Sequence, residues 1–220
     1  MKKPNTIIII VILLLIVGVG AYEANKNDSK PIKASSTTEA KPKTTAKSNS
    51  GFAPVSTTDV AYEATIKIAS ADGSTVNGTL ASDGKGNSQY TALQDGQNTQ
   101  LTYTADAYYM CVGGQCFKYA ANQSGNANFN PSNYTYTAAQ LADYKSTANY
   151  KGKKSCPAGS CDVWSVSKAG TTSTLFLDST KHISQVVSTA NGTTSTVTFN
   201  YKPVTITVPA DAQSISSTTY

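Results

Sequence analysis

Apolar and polar residues are sorted along this chain in three different ways. Residues 7–17 are an unbroken run of Ile, Leu and Val, residues 23–57 hold almost no large apolar side chain, and from Val60 onward apolar positions recur at every second residue. Val60, Tyr62, Ala64, Ile66 and Ile68 alternate with Ala61, Glu63, Thr65 and Lys67, which gives a strand one apolar and one polar face. Asp72-Gly73, Asp83-Gly84 and Asp95-Gly96 then follow at regular spacing. Turns so placed suit a meander of antiparallel strands, because Gly accepts the positive φ of a tight turn. The pattern predicts further strands over 89–93, 99–104, 107–111, 116–120, 162–168, 172–178, 183–189, 194–201 and 204–208, with a hairpin turn at Asn191-Gly192. Helical spacing occurs only over 137–148, where Ala139, Leu141 or Ala142, Tyr144 and Ala148 share a face. The expected fold is mainly β: residues 58–220 form one antiparallel sheet with one covering helix, a domain long enough for a substantial core.

The opening run sets the compartment. Lys2 and Lys3 precede it and a long polar chain follows, the layout of an export signal with its amino terminus inside. A helix over 7–22 spans roughly 24 Å, against about 30 Å of hydrocarbon. Val19-Gly20-Ala21 has the small residues of a signal-peptidase site. Residues 1–22 are therefore expected to be a single-pass signal anchor in the cytoplasmic membrane, amino terminus cytoplasmic; the alternative is a cleaved signal peptide and secretion. Both place the domain outside the cytoplasm. No Cys follows the run, so there is no lipobox.

Residues 23–57, rich in Lys, Ser, Thr, Ala and Asn, read as a disordered tether that cannot bury enough to offset its ordering entropy. As a coil it spans about 30–35 Å, and fully extended roughly 115 Å. The whole formal net charge of +5 sits in the first 57 residues, leaving the domain neutral. The spaced lysines of the tether suit an anionic wall polymer or lipid headgroups. The chain contains no Arg, so bidentate recognition of phosphate or guanine is absent and nucleic acid is not an expected partner.

Cys111-Val-Gly-Gly-Gln-Cys116 and Cys156-Pro-Ala-Gly-Ser-Cys161 repeat one spacing around a turn-forming tetrapeptide. Each pair fits across its own hairpin, within disulfide reach. A four-thiolate zinc site is the rival, and the two other pairings stay open. Other candidates for chemistry are sparse. His182, the one histidine, lies in a turn-like stretch, Asp72, Asp83 and Asp95 each precede Gly, and there is no Gly-x-Ser-x-Gly elbow. No catalytic residue, cofactor or metal ligand is assigned, and the chain is not expected to be an enzyme. Formal glycosylation sequons begin at Asn77, Asn122, Asn133 and Asn191. Thirteen Tyr stand against five Phe and one Trp; Tyr suits half-buried sheet faces, and also binding faces, where a rigid ring carries a polar tip.

The carboxy-terminal half carries a resemblance. Asp162-Val-Trp-Ser-Val166, Leu175-Phe-Leu-Asp178, Ile183-Ser-Gln-Val-Val187, Asn191-Gly-Thr-Thr194, Phe199-Asn-Tyr-Lys-Pro-Val-Thr-Ile206 and Val208-Pro-Ala-Asp-Ala212 resemble the closing strands of the LolA-like carriers. That family includes lipoprotein-sorting proteins and the actinobacterial lipid-carrier lipoproteins. The resemblance implies a curved antiparallel sheet, an incomplete barrel, with helices over its concave face and an apolar cavity for acyl chains. Two family features are missing: the lipobox cysteine, and a helix before the first strand, where 51–59 is short, polar and interrupted by Pro54. Strand alternation together with the resemblance nominates Ile66, Ile68, Leu101, Tyr103, Leu141, Tyr144, Trp164, Phe176 and Phe199 as the wall of a lipid or other apolar ligand site. The competing expectation is a disulfide-stiffened surface module that binds a protein or wall polymer.

Overall fold

In the computed structural model of this chain the described residues are 49–94, 97–121, 134–168 and 171–215. The apolar run over 7–22, the tether up to residue 48 and the sequons at Asn122 and Asn133 lie outside them. Among the described residues no helix is long and apolar enough to cross a membrane.

The alternating segments form a twelve-stranded sheet. Its strands are β1 (Ala61–Ala69), β2 (Thr75–Asp83), β3 (Ser88–Gln94), β4 (Gln97–Tyr103), β5 (Ala107–Val112), β6 (Gln115–Ala120), β7 (Asn149–Cys156), β8 (Gly159–Lys168), β9 (Thr171–Leu177), β10 (Ile183–Ala190), β11 (Thr193–Tyr201) and the two-residue β12 (Gln213–Ser214). The spatial order is β12-β6-β5-β4-β3-β2-β1-β11-β10-β9-β8-β7. Two meanders meet at the centre, where β1 pairs antiparallel with β11 from Tyr62↔Tyr201 to Ala69↔Thr194. The chain thus leaves the first meander at one end of the sheet and enters the second at the other. The single α-helix of the described residues, α1 (Ala138–Lys145), lies in that crossing and packs on β8.

Helix α1 is shorter than the periodicity over 137–148 predicts. Thr137 caps it reciprocally with Gln140, the Thr137 hydroxyl accepting from the Gln140 N–H and the Gln140 side chain accepting from the Thr137 N–H. Ser146 ends it, and the Thr147 hydroxyl donates to the freed Tyr144 carbonyl. Leu141 and Tyr144 are its buried residues. The expected strand over 204–208 does not form. Both sides of β11 are already taken by β1 and β10, and Pro203 and Pro209 flank the segment. It crosses the outer face instead, where Gln89 Nε2 donates to the Thr207 carbonyl at 3.4 Å, and ends as β12, parallel to β6. Strand β7, unmarked by alternation, is a polar edge strand rich in Lys, a composition that discourages further pairing.

Both hairpins are closed by their own disulfides, Cys111–Cys116 and Cys156–Cys161, with Cα separations of 4.0 and 5.9 Å. The zinc reading and the crossed pairings fall away. Residues 49–57, assigned from sequence to the tether, belong to the domain. Asn49 Nδ2 donates to the Lys145 carbonyl at 3.0 Å, Val55 N–H to the Lys181 carbonyl at 2.9 Å, and Thr57 exchanges bonds with Tyr136. Phe52, fully buried, meets the Trp164 ring edge-on at 5.4 Å. Among the described residues no α-helix precedes β1; a 3-10 turn at Asn49–Gly51 and an extended arm lead into it.

Candidate functional site

The register aligns one residue per strand into a continuous apolar row. Phe199 lies opposite Ala64, Ala64 opposite Leu80, Leu80 opposite Tyr90, Tyr90 opposite Leu101, Leu101 opposite Met110, and Met110 opposite Phe117. With strands about 4.8 Å apart, the row is about 29 Å long. It lies on the face that α1 and the arm cover, because Phe199, Leu80, Tyr90 and Leu101 share one core with Leu141, Tyr144 and Phe52.

Burial along this face is uneven. In the half under α1 and the arm, Leu175, Leu177, Ile183, Val186 and Val166 are at most 2% exposed, a closed core. Toward β6 the same face loosens: Tyr90, Ala92 and Leu101 are 7–8% exposed, and Val76, Tyr103 and Met110 are only partly buried. Gly78 explains part of the contour, since a Cβ there would come within 2.6 Å of the Tyr90 ring. Tyr90 thus lies down over β2 instead of standing up from the sheet. At the strand ends Tyr103, Tyr108 and Tyr119 stack in register, with ring centroids 5.8 and 4.6 Å apart.

Tyrosine hydroxyls provide the polar points. Desolvation pushes Tyr62 and Tyr103 up to about 12 and raises Tyr134, Tyr136 and Tyr201 as well, so these phenols stay neutral near pH 7. The Thr57 hydroxyl lies beside Tyr62 Oη without hydrogen-bond geometry, and Trp164 Nε1 is buried with no partner among the described residues. On the covered face of β1–β6 and β11 the alternation places no Lys, Asp or Glu. The surface therefore offers contact area and hydrogen-bonding hydroxyls, with no charged acid–base pair.

Of the residues nominated from sequence, Ile66, Ile68, Leu101, Leu141, Tyr144, Trp164 and Phe199 fall in the one buried cluster, and Tyr103 packs against it. Phe176 is a correction. It lies between Leu175 and Leu177, both fully buried, and opposite Val163 and Gln185; successive strand residues point to opposite faces, so Phe176 leaves by the outer face. Leu141, Tyr144 and Trp164 belong to the closed half, whereas Leu101 and Tyr103 line the loose half. The remaining members of the row, Leu80, Tyr90, Met110 and Phe117, become visible only through the cross-strand register. Phe52 and Tyr136 were hidden differently, Phe52 in a segment with no periodicity of its own and Tyr136 in one too short for a strand. The alternation Tyr134-Thr-Tyr136 before the Thr137 cap was the available signal for the second.

Asp162, at the basic end of β8, accepts from Lys181 at 2.8 Å, Lys153 at 2.9 Å and the Tyr150 hydroxyl at 3.1 Å, and these bonds hold its carboxyl down to about 2. His182 sits in a turn ordered by Asp178, its Nδ1 at 2.8 Å from the Thr180 hydroxyl. Among the described residues no group of three His, Cys, Asp or Glu is placed to hold a metal.

No family model and no curated protein matches this chain. Solved structures do. The chain is similar to the lipoprotein LppX of Mycobacterium tuberculosis (7% identity over 67% of this chain and 90% of that one, TM-score 0.46) and to LprF of Mycobacterium bovis (12%, 70% and 91%, 0.43). It is also similar to a LolA superfamily protein of Nitrosomonas europaea (8%, 64% and 84%, 0.30). The last carries the name of the family that the carboxy-terminal strands resemble. These are distant likenesses of fold, and the chemistry of the covered face follows from its own residues.

Proposed function

We propose that the domain is a non-catalytic, extracytoplasmic binder of an apolar ligand of the lipid class, seated along the loose half of the covered face and tethered to the cytoplasmic membrane by residues 7–22. The observation that carries the proposal is the uncharged row from Phe199 to Phe117, one residue per strand. The loose part of the row, from Tyr90 to Phe117, spans three strand spacings, about 14 Å, close to the roughly 15 Å depth of one leaflet of a hydrocarbon core about 30 Å thick, so its length suits an acyl chain lying across the strands. Leu101, Met110, Ala92 and Tyr103 are its contact points, and the neutral tyrosine hydroxyls meet the polar end of the ligand.

The test is native mass spectrometry of the purified protein together with displacement of a fluorescent fatty acid. Bound lipid in the wild type, lost in Leu101→Asp, is the expected result, because a carboxylate in that row is costly to desolvate. A correctly folded wild type that carries no lipid and takes up no probe rejects the reading. The disulfide-closed hairpins and the Tyr103–Tyr108–Tyr119 stack then support the second reading, an interaction module for a protein or wall polymer.

A further inference from the structure

The domain is neutral in sum and strongly polarised in distribution. Residues 58–121, which form β1–β6, carry Lys67, Lys85 and Lys118 against Asp59, Glu63, Asp72, Asp83, Asp95 and Asp106. Residues 134–182, which form α1, β7–β9 and the turn after them, carry Lys145, Lys151, Lys153, Lys154, Lys168 and Lys181 against Asp143, Asp162 and Asp178. The first group has three acids too many and the second three lysines too many. The strand order puts β1–β6 on one side of the β1–β11 pairing and β7–β9 on the other, with β7 at the far edge, so the basic group gathers at one edge of the sheet, away from the acidic strands.

Lysines on an edge strand blunt unwanted pairing, and that accounts for Lys151, Lys153 and Lys154 on β7. It does not account for Lys145 on α1, Lys168 at the end of β8 or Lys181 in the turn beyond β9. Lys153 and Lys181 share Asp162, and Lys168 holds Asp143. Among the described residues Lys145, Lys151 and Lys154 make no ion pair, and all three are exposed.

The chain also enters the domain at this end. Asn49 is bonded to the Lys145 carbonyl, and the arm then passes Trp164 on β8 and Lys181. The preceding stretch adds Lys26, Lys30, Lys33, Lys41, Lys43 and Lys47 against Glu23, Asp28 and Glu39. Basic tether and basic end are continuous in sequence, and the tether leads back to the apolar run over 7–17.

We propose that the end of the domain formed by α1, the β7–β8 hairpin and the turn carrying Lys181 docks on anionic lipid headgroups of the bilayer in which the amino-terminal run is anchored. The proposal rests on the tether reading given above. Lysines are drawn to such a surface once within a Debye length, about 8 Å at physiological salt. The tether makes encounters between domain and surface frequent, and the acidic group on β1–β6 is repelled, which favours the orientation with the basic edge toward the membrane.

The test uses the full chain reconstituted into vesicles of phosphatidylcholine alone or of phosphatidylcholine with phosphatidylglycerol. Lysine acylation by a membrane-impermeant ester is read residue by residue by mass spectrometry. At low salt, Lys145, Lys151 and Lys154 are expected to react several-fold more slowly on the anionic vesicles. Lys67, Lys85 and Lys118 should react equally on both, and the difference should vanish in molar salt. The variant Lys151→Gln/Lys154→Gln, altered only on the exposed edge, should lose the protection at Lys145. Equal rates on the two vesicles, or protection spread evenly over both lysine groups, overturns the docking surface while leaving the tether intact. Equal protection by soluble polyglycerol phosphate on neutral vesicles overturns the choice of a lipid surface. Full chain that fails to float with neutral vesicles removes the tether, and with it the proposal.

Discussion

Replacing Phe52 with Ala should release the whole arm before residue 58 rather than leave a hole beneath it. Phe52 is 2% exposed and packs edge-on against Trp164. Burying a Phe side chain stabilises by about 1.5–3 kcal/mol, and an edge-on aromatic pair adds roughly 1 kcal/mol. What remains is five hydrogen bonds, from Asn49 Nδ2 to the Lys145 carbonyl, from Val55 N–H to the Lys181 carbonyl, from the Ser56 hydroxyl and Thr57 N–H to the Tyr136 carbonyl, and from Tyr136 N–H to the Thr57 hydroxyl, worth about 1 kcal/mol each. Holding the backbone of residues 52–57 costs about 1–2 kcal/mol per residue, so the bonds alone do not retain the arm. Detachment also caps the loss of global stability at about 3 kcal/mol, the low end for a buried Phe→Ala change. Trp164, the single Trp of the chain, reports directly on the event. Its emission should shift to the red and become more accessible to acrylamide well below the unfolding midpoint. Amide exchange at Val55 and Thr57 should speed up while the β1–β11 ladder stays protected. Unchanged Trp emission together with slow exchange at Val55 refutes the idea that Phe52 fastens the arm.

Gly78→Ala should destabilise the domain by about 1–3 kcal/mol, since its Cβ enters the Tyr90 ring; chemical denaturation of the single and the Gly78→Ala/Tyr90→Ala double variant should show partial rescue. Asp162→Asn removes a carboxyl whose folded pKa is held near 2, below the ordinary 3.8, by Lys181 and Lys153. Its stabilisation is therefore complete above about pH 4 and is lost as the pH falls toward 2. With both lysines exposed, unfolding free energies from urea titration should differ by about 1 kcal/mol at neutral pH and converge in acid. Replacing Cys111 and Cys116 together by Ser should cost about 2 kcal/mol for so short a loop, and non-reducing peptide mapping should find the Cys156–Cys161 link unchanged.

The sheet was legible wherever one face is apolar and the other polar, as along Tyr62–Ile68 in β1, because a period of two survives without knowledge of partners. It was illegible at β7, whose polar edge position removes the signal, and misleading over 204–208, where strand-like residues find every neighbouring ladder occupied. The same limit governs the site. Alternation nominated Leu101 and Tyr103 correctly for face, and would have excluded Phe176 had its neighbours Leu175 and Leu177 been taken as the buried pair. The row joining Phe199 to Phe117 is a property of register across seven strands, and no local window contains it. Phe52 had no periodic neighbours; only its partner Trp164, distant in sequence, gives it meaning.

The pairing of β1 with β11 sets the order in which this protein comes into being. Tyr62 faces Tyr201 and Ala69 faces Thr194, so the middle of the sheet is joined by the first and last long strands made. Contacts so remote in sequence slow folding, because the intervening chain must be closed before they contribute. The two meanders and their disulfide-closed hairpins are local and form early, each leaving an unpaired central strand, β1 in one and β11 in the other. A chain interrupted before residue 193 has no β11, and exposes β1 and β10 as raw edges open to other chains. Completion thus waits on the carboxy-terminal segment, which keeps the domain from closing until its last long strand has been made.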